Sequence, residues 1–150
     1  MNGAPTIHAS AVRVGNTGVL IRGASGSGKS SLALGLLTIA PEAAALIADD
    51  RVVLTVRDDQ VFASAPESLA GLLEVRSVGI VRYPHFGPSA IHLVVDLRPM
   101  AECPRIPDNA DATTMIEGVS LPFLRLPIGQ FDLPNRVLAA LTLRPPDEAG

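Results

Sequence analysis

Gly23-Ala24-Ser25-Gly26-Ser27-Gly28-Lys29-Ser30 follows the apolar run Gly18-Val19-Leu20-Ile21 and opens onto a helical pattern from Ser31 to Ile39. The octapeptide meets every fixed position of the phosphate-loop template G-x-x-x-x-G-K-[ST] (Walker A). The strand before it and the helix behind it are the setting that the template requires. Its chemistry follows from the residue types. Glycines let backbone N–H groups turn inward around a phosphate, and the helix behind adds the positive end of its dipole. Lys29 brings a point charge and Ser30 offers a hydroxyl to Mg²⁺. A glycine and serine string alone reads as a flexible loop; with the fixed positions and the strand-loop-helix setting it reads as a nucleotide site. Gly23, Ala24, Ser25, Gly26, Ser27, Gly28, Lys29, Ser30 and Ser31 are therefore the expected nucleotide contacts.

Around this loop the chain has the size of one domain. Its 150 residues suffice to bury a core without staples, and 47% hydrophobic against 18% charged residues argue for a globule. We expect a single domain over 1–143 and a frayed tail over 144–150. A net charge of -3 without a basic run argues against nucleic acid as a partner. The lone Cys103 allows no internal disulfide, and no charged N-terminal segment leads into a long apolar one, so neither export nor membrane insertion is signalled. The expected location is the cytoplasm.

Alternation over Ile7 to Val14 and the run Val19 to Ile21 predict two strands joined by a turn at 15–18. Lys29 to Ala40 predicts an apolar, sheet-covered helix stopped by Pro41, and Ala44 to Ala48 a further strand. Arg51–Val56 and Val61–Ala63 predict a hairpin turning at 57–60, with Asp58 and Asp59 as turn residues. Pro66 to Leu73 predicts a short helix, Ile91 to Leu97 a strand, Leu121 to Ile128 a strand broken by Pro122 and Pro127, and Arg136 to Leu143 a closing helix. The fold class is thus α/β: a P-loop core on a mixed, strand-rich sheet.

Phosphoryl transfer needs fixed phosphates and metal, plus a group that orients or deprotonates the acceptor. Asp49 and Asp50 end the strand that follows the phosphate-loop helix, at the edge where open α/β sheets collect ligands. One carboxylate can support Mg²⁺ while the other accepts a proton; adjacent positions leave open which does which. His8, on a strand, reads by itself as structural, and Glu74 as a helix-end surface charge. Arg76 reads equally as a phosphate contact or as a partner of Glu74. His85, His92 and Cys103 read as bystanders.

Four segments in order, Ile7-His8, Gly23 to Ser30, Ala48-Asp49-Asp50-Arg51 and Leu73-Glu74-Val75-Arg76-Ser77-Val78-Gly79-Ile80, resemble the catalytic domain of the HPr kinase/phosphorylase family. The last is similar to that family's signature L-E-[IV]-R-G-[LI]-G-I. The resemblance implies a fold of the HPr kinase/phosphoenolpyruvate carboxykinase type, and an ATP- and Mg²⁺-dependent kinase for a serine of the phosphocarrier HPr or its nitrogen-system relative. It also implies a reverse reaction in which inorganic phosphate attacks phosphoserine to give pyrophosphate, and a hexameric assembly. On it, His8, Lys29, Asp49, Asp50 and Arg105 are catalytic, and Ser30, Asp50 and Glu74 hold metal.

The resemblance is closest to a short alphaproteobacterial form that begins at the catalytic domain. Ser77 replaces the signature glycine, the Tyr83–Pro88 loop is short, and Leu126-Pro127-Ile128-Gly129-Gln130-Phe131 lacks the arginine-rich form tied to the phosphorylase direction. A kinase-biased enzyme is therefore expected. The alternatives are a nucleotide-gated regulatory module and a small-molecule phosphotransferase related to phosphoenolpyruvate carboxykinase.

Overall fold

The computed structural model of the chain describes residues 5–143. The expected tail at 144–150, and the first four residues of the expected domain, lie outside them. In chain order come β1 (Thr6–Ile7), β2 (Ser10–Val14), β3 (Thr17–Gly23), α1 (Lys29–Ile39), β4 (Ala44–Ala48), β5 (Val52–Arg57) and β6 (Gln60–Ser64). Then follow β7 (Leu72–Val75), β8 (Gly79–Arg82), β9 (Ser89–Ala90), β10 (Leu93–Arg98), β11 (Thr113–Ile116), β12 (Val119–Pro127) and α2 (Leu133–Thr142).

A six-stranded mixed sheet, ordered β11-β12-β10-β3-β2-β4, forms the middle layer. β3, β10 and β12 run parallel, while β2 runs antiparallel to both β3 and β4. Alternation along the strands divides the core. Val19 and Ile21 of β3 face α1 and α2, packing on Leu32, Leu36 and Val137. Leu20 and Val94 turn the other way, onto the antiparallel sheet β1-β5-β6-β9, where Val52, Val61 and Ala63 meet them. Helices, mixed sheet and small sheet thus make three layers, each burying one face of its neighbour.

Close packing fixes the layers' spacing. A Cβ on Gly18 would run into the backbone carbonyl of Ala90, and the Gly18 carbonyl accepts the His92 amide at 2.8 Å. Gly18→Ala is expected to cost about 1–3 kcal/mol, read as a lower urea midpoint with an unchanged slope.

Most predicted elements stand where expected; the short β9 was not predicted, the closing helix starts at Leu133 instead of Arg136, and four larger differences follow. The first strand is interrupted at His8-Ala9, so that Ile7 joins the small sheet and Ser10 the large one. The predicted helix ending at Leu73 is a 3₁₀ turn over Glu67–Leu69 followed by the β7–β8 hairpin. The strand expected to break at Pro122 continues as β12. Its partner β11 was not predicted; the two-residue turn Glu117-Gly118, both at positive φ, joins them.

Candidate active site

β3 and β4 run parallel with β2 between them, so the phosphate loop and the Asp49-Asp50 pair leave the sheet at the same edge. The antiparallel β2 begins at that edge, which brings Ser10 and, just before it, His8. These segments wall a cavity of about 540 Å³ whose lining includes His8, Ser10, Lys29, Ser30, Asp50, Glu74 and Arg76.

The loop is built to hold an anion. Gly26 and Gly28 adopt φ 81° and 105°, a region that glycine enters without strain. A Cβ on Gly23 would meet the Ser27 hydroxyl, which would have to turn away from its present place. Ser27 Oγ is buried and, among the described residues, is the one buried side-chain polar atom without a hydrogen-bond partner. Lys29 is 6% exposed; its Nζ donates to the carbonyls of Gly23 at 2.9 Å and Ala24 at 3.0 Å, which holds the ammonium across the loop.

The two aspartates occupy different environments. Asp49 is 8% exposed, and its Oδ1 accepts both the Ser30 hydroxyl at 2.7 Å and the Ser10 hydroxyl at 2.8 Å. Asp50 lies outside, at the centre of a turn in which the Arg51 amide donates to the Asp49 carbonyl at 2.8 Å. Its φ of 70° is strained for a side-chain-bearing residue, and its carboxylate takes a partner that Asp49 does not share. Asp50 Oδ1 sits 2.6 Å from His8 Nε2, with side chains 61% and 42% exposed.

Glu74 and Arg76 come from β7 and the turn after it. Glu74 is therefore an exposed strand residue, not the helix-end charge that its surroundings in the sequence imply. In that turn, where the Val78 amide donates to the Val75 carbonyl, Ser77 holds φ 67° at the position that favours glycine. Ser77→Gly is expected to stabilise the protein by up to about 1 kcal/mol, seen as a raised urea midpoint.

Gly23, Ala24, Ser27 and Asp49 stand behind the cavity's lining, Asp49 bonded to Ser30, whereas Arg105 lies away from this cavity altogether. It lines a second, smaller one of about 140 Å³ together with Arg125 and Arg136, beyond the end of β12. The cause is topological: β10 and β12 set the loop that carries Arg105 on the side of β3 away from Asp49. Burial pushes the Cys103 thiol up, which disfavours the reactive thiolate. His92 is structural, its Nδ1 accepting the Gly18 amide at 3.0 Å.

The residue that sequence reading missed is Ser10. Its partnership with Asp49 spans 39 positions, and no local pattern marks it.

Among the described residues no group of three or more His, Cys, Asp or Glu side chains could hold a metal alone. In a phosphate site Mg²⁺ needs only one or two carboxylates, since the phosphates and water complete its shell. A hydroxyl already bonded to a buried carboxylate, beside an unpartnered hydroxyl in a glycine cradle, fits a metal-bound phosphate group.

Fold and site together define a P-loop nucleotide-binding domain of the kinase type. The chain belongs to the family described as the HPr serine kinase C-terminal domain, whose family model matches residues 2–140. An HPr kinase/phosphorylase of Limosilactobacillus reuteri (strain DSM 20016) is 37% identical, the match covering 82% of this chain and 41% of that protein. The HPr kinase/phosphorylase of Xylella fastidiosa (strain M12) is 36% identical, over 91% of this chain and 45% of its own length. The solved HPr(Ser) kinase/phosphatase from Coxiella burnetii superposes with a TM-score of 0.76 at 26% identity, covering 91% of this chain and 93% of that one. The chain spans less than half the length of the curated relatives it matches. No helix among the described residues is long and apolar enough to cross a membrane.

Proposed function

We propose that this chain transfers the γ-phosphoryl group of ATP, with Mg²⁺, to a serine hydroxyl of an HPr-type phosphocarrier protein, in the cytoplasm. The observation that carries the reading is the wall shared by the phosphate loop and the His8–Asp50 pair. One side of the cavity suits a triphosphate, and the other an acceptor hydroxyl. The names of the relatives, HPr kinase/phosphorylase and HPr(Ser) kinase/phosphatase, support the acceptor.

In this reading Lys29 and the loop amides neutralise the phosphates. Asp50 accepts the serine proton while the serine oxygen bonds to the γ-phosphorus and the bond to the β–γ bridging oxygen breaks, releasing ADP. His8 holds the Asp50 carboxylate in place. Mg²⁺ supplies charge neutralisation at the phosphates. Asp49, through Ser30, would support the ion from inside the protein, and Glu74, on the cavity wall, would be its second carboxylate. The carboxylate bonded to the loop hydroxyl suits metal support, and the one exposed beside histidine suits proton transfer. The loop over Leu126–Phe131, without arginines, favours the kinase direction over phosphorolysis of phosphoserine. A hexamer accompanies the reading by family resemblance.

The test incubates the protein with labelled ATP, Mg²⁺ and the HPr-type proteins of its own organism, then locates the label by mass spectrometry. Phosphoserine on the phosphocarrier is the expected product. Label on a metabolite, or none while ATP still binds, would overturn the reading.

A further inference from the structure

The geometry points to Ser10 as a positioning residue for the metal: its hydroxyl holds the Asp49 carboxylate so that Oδ1 takes the Ser30 proton and Oδ2 is left to the cation or its water. This rests on the proposed Mg²⁺-dependent phosphoryl transfer.

Ser10 is fully buried although it carries a hydroxyl, and that hydroxyl is spent on Asp49 Oδ1 at 2.8 Å. The Ser30 hydroxyl reaches the same oxygen at 2.7 Å, and none of the hydrogen bonds among the described residues goes to Oδ2. A carboxylate held by Ser30 alone would rotate about its Cβ–Cγ bond and exchange its oxygens. With the second donor on the opposite strand, one oxygen is pinned from two directions. Ser30 then donates its only proton to Asp49 and turns its lone pairs outward, which is the state in which a hydroxyl can ligate a cation.

The backbone is shaped for this contact. β2 pairs with β4 as Val14↔Ala44, Arg13↔Ala45 and Val12↔Leu46, and then the register jumps to Ala11↔Ala48. Ile47 is the extra residue, and both Ile47 and Ala48 consequently pack into the core between the sheets. Without the jump, the pairing would continue to set Ala9 against Asp49. With it, Ser10 stands there, on the face of the sheet that carries α1 and Ser30. An outer partner that orients a metal-supporting carboxylate changes metal affinity by about 10–100-fold when removed.

The experiment measures Mn²⁺ binding to the ADP-loaded protein by electron paramagnetic resonance, and ADP binding in EDTA by calorimetry, for wild type, Ser10→Ala and Ser10→Thr. Ser10→Ala is expected to weaken Mn²⁺ by about 10-fold or more, with metal-free ADP affinity within about twofold. Ser10→Thr, which keeps the hydroxyl, is expected to restore Mn²⁺ affinity to within about threefold of wild type. Equal Mn²⁺ affinity in wild type and Ser10→Ala overturns the role of Ser10 alone. So does a Ser10→Ala loss that metal-free ADP binding shares in full, or a Ser10→Thr protein as weak as Ser10→Ala. A wild type that takes up no Mn²⁺ with ADP sinks the kinase reading, and the role of Ser10 with it.

Discussion

Asp50→Asn is expected to lower serine phosphorylation by about 10²–10⁴-fold, the contribution of a well-placed proton acceptor, while ATP affinity stays within about threefold. Asparagine is the informative replacement because it tolerates the positive φ that Asp50 holds at 70°. It also keeps an oxygen or amide within reach of His8, so the turn and its strain survive while the charge and the basic oxygen are lost. Side-by-side measurement of single-turnover transfer and nucleotide affinity separates the two effects. A variant that transfers at the wild-type rate would remove Asp50 from the proton's path. Loss of ATP binding would instead make its role one of holding the nucleotide.

Lys29→Met is expected to fail differently, losing nucleotide affinity and transfer together, with kcat/KM for ATP down by about 10²–10³-fold, the usual cost of one well-aimed charge donor. Methionine matches the length of the stem but donates nothing. The carbonyls of Gly23 and Ala24, now held at 2.9 and 3.0 Å, lose their donor. At about 1 kcal/mol for each bond, the nucleotide-free protein should also melt earlier. A variant with normal affinity for ATP would contradict the phosphate-binding role.

Local sequence carried the phosphate loop, α1, β4 and the acidic pair, because each is encoded within a few residues. The turn at Asp58-Asp59 was legible for the same reason, and both residues hold positive φ, at 53° and 62°. Leu69, Leu72 and Leu73 misled because their spacing imitates a helix face. Gly71 at φ 77° ends that turn, and Leu73, Glu74, Val75 and Arg76 then alternate inward and outward as a strand does. Pro122 misled by being a proline in a strand, yet it costs little. It lies opposite Thr113 at the end of the β11 ladder, one residue before the β10 ladder starts at Phe123. Non-local partners were the least legible. The buried Asp96, bridged by Arg22 at 2.7 and 3.1 Å across 74 positions, left no trace in the sequence.

Under the proposed mechanism, the register jump at Ile47 makes the length of β4 matter to catalysis. Insertions in the Gly15-Asn16 or Asp58-Asp59 turns alter the rim of the fold and leave the pairing beside the cavity intact. One residue more or fewer between Ala44 and Ala48 would set Asp49 against the wrong neighbour and turn its carboxylate to the opposite face of the sheet. Among descendants of this sequence, substitutions in β4 that keep its apolar character should therefore be tolerated, whereas single-codon gains and losses there should be purged. An apolar residue with no part in the chemistry is thus protected by its place in the count.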